Sequence, residues 1–180
     1  MKKLFFVAVI GLFITSCADF KKDQQLQQVK KLTTQLNRME AQLKDGRLKE
    51  VATIKNNTMQ TELRIKQNLH LDTVDMELAK KLDAYKLMRK SIKPLMQQCV
   101  KVRSGIQEEK GVLQKLATDI KEGRGERDKY PEYIQFERQK VGQLEALTKD
   151  YMRSKDKFFK DYNRLYPMIN AFANRLIEQH

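Results

Sequence analysis

The chain has 180 residues, of which 33% are charged and 8% aromatic, with no Trp, 7 Gly and 3 Pro. Alternating runs of Val, Ile and Thr are missing, which argues against β-sheet, and the scarcity of Gly and Pro leaves few places for turns. We therefore expect one all-α domain with a few long helices. The formal net charge of +13 favours anionic partners.

The first seventeen residues have the three parts of a secretory signal. A basic start, Met1-Lys2-Lys3, is followed by an apolar run at 4–14 and by the small-residue end Thr15-Ser16-Cys17. The apolar run is too short to span a bilayer, which takes about 20 residues. We therefore predict that residues 1–16 are a signal peptide, and loss of Lys2 and Lys3 with it lowers the net charge from +13 to +11.

The segment Ile14-Thr15-Ser16-Cys17 resembles the lipobox of bacterial lipoprotein precursors. The resemblance implies that Cys17 becomes the mature N-terminus and carries a diacylglyceryl thioether and an N-acyl chain, which anchor it in a lipid bilayer. The alternative is an ordinary signal peptide with an incidental Cys. The residue directly after the Cys is Ala18 and not Asp, which favours the outer membrane, facing the periplasm. Asp19, one position later, leaves the cell surface as an alternative location. A secreted protein rarely meets nucleic acid, so none is expected as a partner.

The mature chain begins with a polar segment that we interpret as a lipidated N-terminus and tether at 17–25, ahead of a helical bundle domain at 26–180. A first apolar seam starts at Val29 and steps by three and four residues to Leu43, which is typical of a coiled coil. Asp45-Gly46 then marks either a turn or a bend, and we favour one bent helix. Its continuation is less regular: Leu48, Val51, Ile54, Met59, Leu63, Ile65 and Leu69.

The second helix is expected after Asp72 and Thr73, both candidate N-caps. Its seam runs from Leu78 to Ile120 at the same spacing, and Glu109 is its one polar position. Pro94 predicts a kink near 90–94, because proline lacks the N–H of the helix ladder and crowds the carbonyl four residues back. Glycine favours a helix end at 122–125.

The third helix is predicted from Lys129-Tyr130-Pro131-Glu132 onward, since proline suits a first helical turn. Its seam runs from Ile134 to Leu176 and includes the polar positions Glu137, Thr148 and Lys155. We expect Pro167 to bend this helix near its end. Short connections make consecutive helices antiparallel neighbours. The sequence thus predicts an elongated antiparallel three-helix bundle or coiled coil with kinks, in helices of about 45–50 residues. Oligomerisation is equally compatible with such seams.

No catalytic motif, metal site or cofactor site is predicted. His70 and His180 are isolated, and the acidic groups Glu108-Glu109 and Asp72/Asp75/Glu77 fit a solvated face and a helix start. Cys99 occupies a seam position, where it packs as a small apolar residue; the alternative is an intermolecular disulfide.

A basic stripe on the last helix is the candidate contact for an anionic lipid or glycan, and a second stripe lies on the second helix. Solubility alone explains such stripes as well, and that interpretation is favoured. The first stripe consists of Arg153, Lys157, Lys160 and Arg164, and the second of Lys86, Lys90, Lys93 and Lys101.

These features favour a membrane-anchored, non-enzymatic scaffold or interaction module of the bacterial cell envelope, with an unidentified envelope protein as partner. The alternative is a periplasmic holdase for unfolded or membrane proteins. Long helices and a basic charge resemble the Skp type of holdase, although that family has a small β-sheet trimerisation body and no strands are predicted here. A third class, an envelope enzyme or its accessory subunit, lacks a candidate nucleophile or acid/base pair.

Overall fold

The structure, a computed structural model, describes the backbone of residues 2–44, 47–70 and 75–178 and the side chains of 20–44, 49–70 and 75–178. This part of the chain is helical and contains no strand, which confirms the all-α prediction. The helices are α1 (Lys2–Leu43), α2 (Arg47–Asn68), α3 (Met76–Lys90), α4 (Ile92–Glu122), a 3-10 turn (Arg127–Lys129) and α5 (Tyr130–Glu178).

The predicted count of three helices is wrong for the described residues. α1 ends at Leu43 and α2 begins at Arg47, so the expected single bent helix is two helices, and residues 45–46 lie outside the described part. The polar residues 17–25, interpreted as a tether, are helical and belong to α1. Lys and Gln at these positions are good helix formers and the segment has no Gly or Pro, so it continues the helix.

The predicted kink near Pro94 is a helix break at Ser91, between α3 and α4. The Ser91 hydroxyl donates to the Met88 carbonyl oxygen at 2.7 Å, and its N–H reaches the carbonyl oxygens of Leu87 and Met88. Proline cannot donate to the carbonyl of Lys90, so the break lies within one turn before it. Pro167, by contrast, lies inside α5 without interrupting it.

The N-cap of α3 is Asp75, whose carboxylate accepts a hydrogen bond from the Leu78 N–H at 3.3 Å. The candidate caps Asp72 and Thr73 lie outside the described residues. The acidic group at this position therefore includes a helix cap, as its place in the sequence suggested.

The chain divides into two compact units, and α4 and α5 contribute to both. The first comprises 1–42 and 103–146, so its described part takes α1, the later part of α4 and the start of α5. The seams predicted for these helices form its core. The buried apolar residues are Val29, Leu32, Leu36 and Met39, then Ile106, Leu113, Leu116 and Ile120, then Tyr130, Ile134 and Val141.

Within this unit α1 runs antiparallel to α4 and parallel to α5. Glu40, near the end of α1, accepts hydrogen bonds from Gln107 at 2.8 Å and from Lys110 at 2.9 Å. Gln28, earlier in α1, accepts one from Arg138 in α5 at 3.0 Å. Residues 21–28 of α1 therefore lie beside the end of α4 and the beginning of α5.

The second unit comprises 43–102 and 147–180, and its described part contains α2, α3, the start of α4 and the rest of α5. The buried face of α2 differs from the predicted one. Thr58 and Thr61 are fully buried, whereas Met59 and Leu63 are exposed. The buried positions Val51, Ile54, Thr58, Thr61 and Ile65 step by three and four residues, so the seam is regular once threonine is counted as a seam residue.

Polar contacts fix the register of α2 in this unit. The Arg64 guanidinium donates to Asn170 Oδ1 at 2.7 Å and to Asn174 Oδ1 at 2.5 Å, and the Thr61 hydroxyl donates to Asn170 at 3.1 Å. Burial raises the pKa of Tyr85 to about 12, and its hydroxyl donates to the Thr58 carbonyl oxygen at 3.3 Å. A slip of α2 along α5 would break the contacts to Asn170 and Asn174 and leave the buried Thr61 hydroxyl unpaired, which costs about 1–3 kcal/mol.

Candidate functional site

Cys17, the predicted lipidation site, belongs to helix α1 and precedes Lys21 by four residues. At 1.5 Å per residue, the two positions are about 6 Å apart along the helix. The Cys17 side chain is outside the described side chains, and lipidation stays a prediction. Among the described residues, no helix carries an apolar stretch long enough to cross a bilayer.

The turn between α4 and α5 is closed by hydrogen bonds and by a left-handed glycine. Gly123 has a φ of 64°, its N–H donates to the Ile120 carbonyl oxygen at 3.3 Å, and the Arg124 N–H donates to that of Asp119 at 2.9 Å. This pair of bonds is the Schellman pattern of a helix C-terminus. The buried Tyr130 hydroxyl lies 2.9 Å and 2.5 Å from the carbonyl oxygens of Asp119 and Arg124. The predicted helix end at 122–125 is confirmed.

A cleft of about 380 Å³, which we call the basic cleft, lies between this turn and residues 21–25 of α1. Its lining includes four cations and two carboxylates. One of the carboxylates, that of Glu122, is paired with Arg124 at 2.6 Å, so positive charge is in excess. The charged residues that line the basic cleft are Lys21, Lys22, Lys121, Arg127, Glu122 and Asp128.

Arg127 is held in place within the basic cleft. Its Nε donates to the Gly123 carbonyl oxygen at 2.9 Å. In the part of the chain that the structure describes, Lys21, Lys22 and Lys121 form no ion pair. This cluster of cations is not evident from the sequence, because its members come from α1, α4 and the following turn, which only the fold brings together.

The predicted basic stripe of α5 carries carboxylates among its cations. Asp150 pairs with the first member, and Asp161 lies 2.7 Å and 3.2 Å from the second and fourth. The hydrogen bond from Lys157 is the main reason why the pKa of Asp161 lies below its ordinary value. These contacts partly neutralise the stripe within its own helix. In order, the stripe is Arg153, Lys157, Lys160 and Arg164.

Two carboxylates meet between α4 and α5 in the first unit. Glu109 is 4% exposed, so the solvated-face interpretation is wrong for it, whereas Glu108 is exposed. Lys140 Nζ lies 3.2 Å from one oxygen of Glu109 and 3.2 Å from one oxygen of Glu137. Burial, followed by the neighbouring Glu137, raises the pKa of Glu109 to about 7. Burial alone would lower the pKa of Lys140, but the two carboxylates outweigh it and the pKa is raised.

The remaining candidate residues are dispersed. Cys99 is a buried free thiol at its predicted seam position. His70 is exposed just after α2, and His180 lies outside the described residues. Within the described ranges, no three His, Cys, Asp or Glu residues are grouped as metal ligands would be.

Comparison of the chain with known protein families, with curated proteins and with solved structures gave no match.

Proposed function

We propose that this chain is a lipid-anchored, non-enzymatic lipoprotein of the bacterial cell envelope, in the outer membrane facing the periplasm, and that its helical part is a scaffold for another envelope protein. The observation that carries the proposal is the order of residues 1–17, in which a basic start and an apolar run end at Cys17. Helix α1 continues directly from this position into a buried face that begins at Val29. Acylation would hold the protein at the membrane, and the helices would provide a surface for the partner protein.

Metabolic labelling with palmitate tests the anchor. The chain has two cysteines, and Cys99 is a matched control because it is the other thiol. The wild type and Cys99→Ser should incorporate label and sediment with the outer membrane, whereas Cys17→Ser should lose both properties. Label that persists in Cys17→Ser would refute the proposal.

The scaffold role predicts one fixed partner rather than many. Tyr133 and Phe136, three residues apart on α5, are exposed, and Phe136 is 58% exposed with Lys140 Nζ 5.3 Å from its ring centre. Exposed aromatic residues are enriched in protein interfaces. A photocrosslinking amino acid at position 136 should capture a single envelope protein in cells, with exposed position 108 as the control. Capture of many unfolded proteins would favour a holdase instead.

The elongated antiparallel bundle predicted from the sequence is part of the same proposal. Small-angle X-ray scattering tests it. A compact domain of 180 residues has a radius of gyration of about 16 Å, and an elongated one must exceed this value clearly.

A further inference from the structure

The basic cleft concentrates positive charge that the described protein does not neutralise. Lys21, Lys22 and Lys121 have no ion pair in the described residues, and Arg127 is held beside them by its bond to Gly123. Like charges in one cleft repel one another, and a bound anion relieves that repulsion. The charge pattern therefore fits an anionic ligand.

The volume of the basic cleft fits a small chemical group. Its volume of about 380 Å³ lies at the lower end of the range for small-molecule sites, roughly 300–1,000 Å³. The wall formed by the α4–α5 turn is fixed by the Tyr130 hydroxyl and the Schellman bonds. A preorganised wall lowers the entropic cost of binding.

The position of the basic cleft near Cys17 favours a membrane lipid as the source of the anion. Lys21 follows Cys17 by four helical residues, about 6 Å, which is within the Debye length of about 8 Å at physiological salt. Phe20, between them, is 63% exposed, as expected for a side chain that enters the interface of a bilayer. An acylated Cys17 would place the cleft at the level of the lipid headgroups.

We propose that the basic cleft binds the phosphate-bearing headgroup of an anionic lipid in the membrane that holds the acyl chains. This inference rests on the proposed anchor at Cys17. Lys21, Lys22, Lys121 and Arg127 surround the phosphate oxygens, and Arg127 offers its guanidinium N–H groups as donors. The contact makes α1 and the α4–α5 turn a joint membrane-facing end of the first unit.

Amine labelling of the full-length acylated protein in lipid nanodiscs tests the proposal. Labelling rates of individual lysines are read by mass spectrometry in discs of phosphatidylcholine alone and of phosphatidylcholine with phosphatidylglycerol. A third sample adds inorganic phosphate to the phosphatidylcholine discs. Lys129 belongs to the same turn but does not line the cleft, and Lys86 lies on α3, so both serve as controls.

Phosphatidylglycerol should slow the labelling of Lys21, Lys22 and Lys121 about fivefold, because a direct hydrogen bond to a phosphate oxygen holds the protonated amine by about 1 kcal/mol. Lys129 and Lys86 should change little, and inorganic phosphate should have no comparable effect. Equal slowing at Lys129 would show a general surface field, and equal slowing by inorganic phosphate would show a free-phosphate site; either result overturns the proposal, as does no slowing. A protein that does not enter the discs refutes the anchor instead, so the two failures are distinguishable.

Discussion

Replacing Glu109 with Gln should stabilise the protein at neutral and alkaline pH. Glu109 is buried between α4 and α5, and its Oε1 is buried without a hydrogen-bond partner. Ionisation at this position therefore lacks solvation and also faces Glu137. Glutamine has the shape of the protonated acid and leaves the contact between Lys140 and Glu137, 3.2 Å, intact.

The magnitude follows from the raised pKa. A carboxyl pKa raised from 4.5 to about 7 corresponds to about 3 kcal/mol, which is an upper value because the Lys140 ammonium lies beside the ionised carboxylate. The folded state holds the proton to a higher pH than the unfolded state. The stability that the neutral carboxyl provides is therefore complete below about pH 4.5 and is lost as the pH rises through about 7.

The assay is urea unfolding followed by circular dichroism at several pH values between 4.5 and 8.5. Glu109→Gln should exceed the wild type by up to about 3 kcal/mol at pH 8 and approach it near pH 4.5. Glu108→Gln, which removes the same charge from the neighbouring exposed position, should not change the pH dependence. If Glu109→Gln loses as much stability between pH 5 and pH 8 as the wild type, the reasoning fails.

Two glycines and one cysteine give further expectations. Gly123→Ala should lower the free energy of unfolding by about 1–2 kcal/mol, because Gly123 has a φ of 64° that side-chain-bearing residues rarely adopt; thermal unfolding measures this, and a neutral result would contradict the assigned turn. Gly111→Ala should raise it by about 1 kcal/mol, because Gly111 lies inside α4 and an added Cβ meets no atom within 4 Å; a loss of stability in the same assay would show an unrecognised contact. Cys99 should react with a maleimide only after unfolding, and rapid labelling of the native protein would show that the seam opens.

The spacing of apolar residues was enough to locate most buried faces. It even placed polar residues correctly, since Lys155, on the predicted third seam, is 2% exposed, and Glu137 is buried as well. The reason is geometric: in a helix, residues three and four apart share a face whatever their chemistry. The same reasoning failed for α2, because Thr58 and Thr61 were not counted as seam residues.

Most candidate sites could not be predicted from the sequence, because they join residues of different helices. Spacing gives the face of one helix but not its register against another, so the meeting of Glu109 with Glu137 could not be foreseen. The basic cleft forms only when the end of α4 lies beside residues 21–25 of α1, and this depends on how the helices are arranged in the fold. Cys17 could be proposed from the sequence because the pattern that marks it, residues 14–17, is continuous in the chain. Its lipidation stays a prediction.

The helical state of residues 17–25 has a mechanical consequence for a chain acylated at Cys17. In a continuous helix, each residue added there would raise the following part by about 1.5 Å and rotate it by about 100°, and each residue removed would lower it by the same amount. A single insertion would turn a docking face away from a neighbour fixed in the bilayer. Seven inserted residues would almost restore its direction while raising it by about 10 Å. Height and orientation above the membrane would thus be set together by the length of this one stretch.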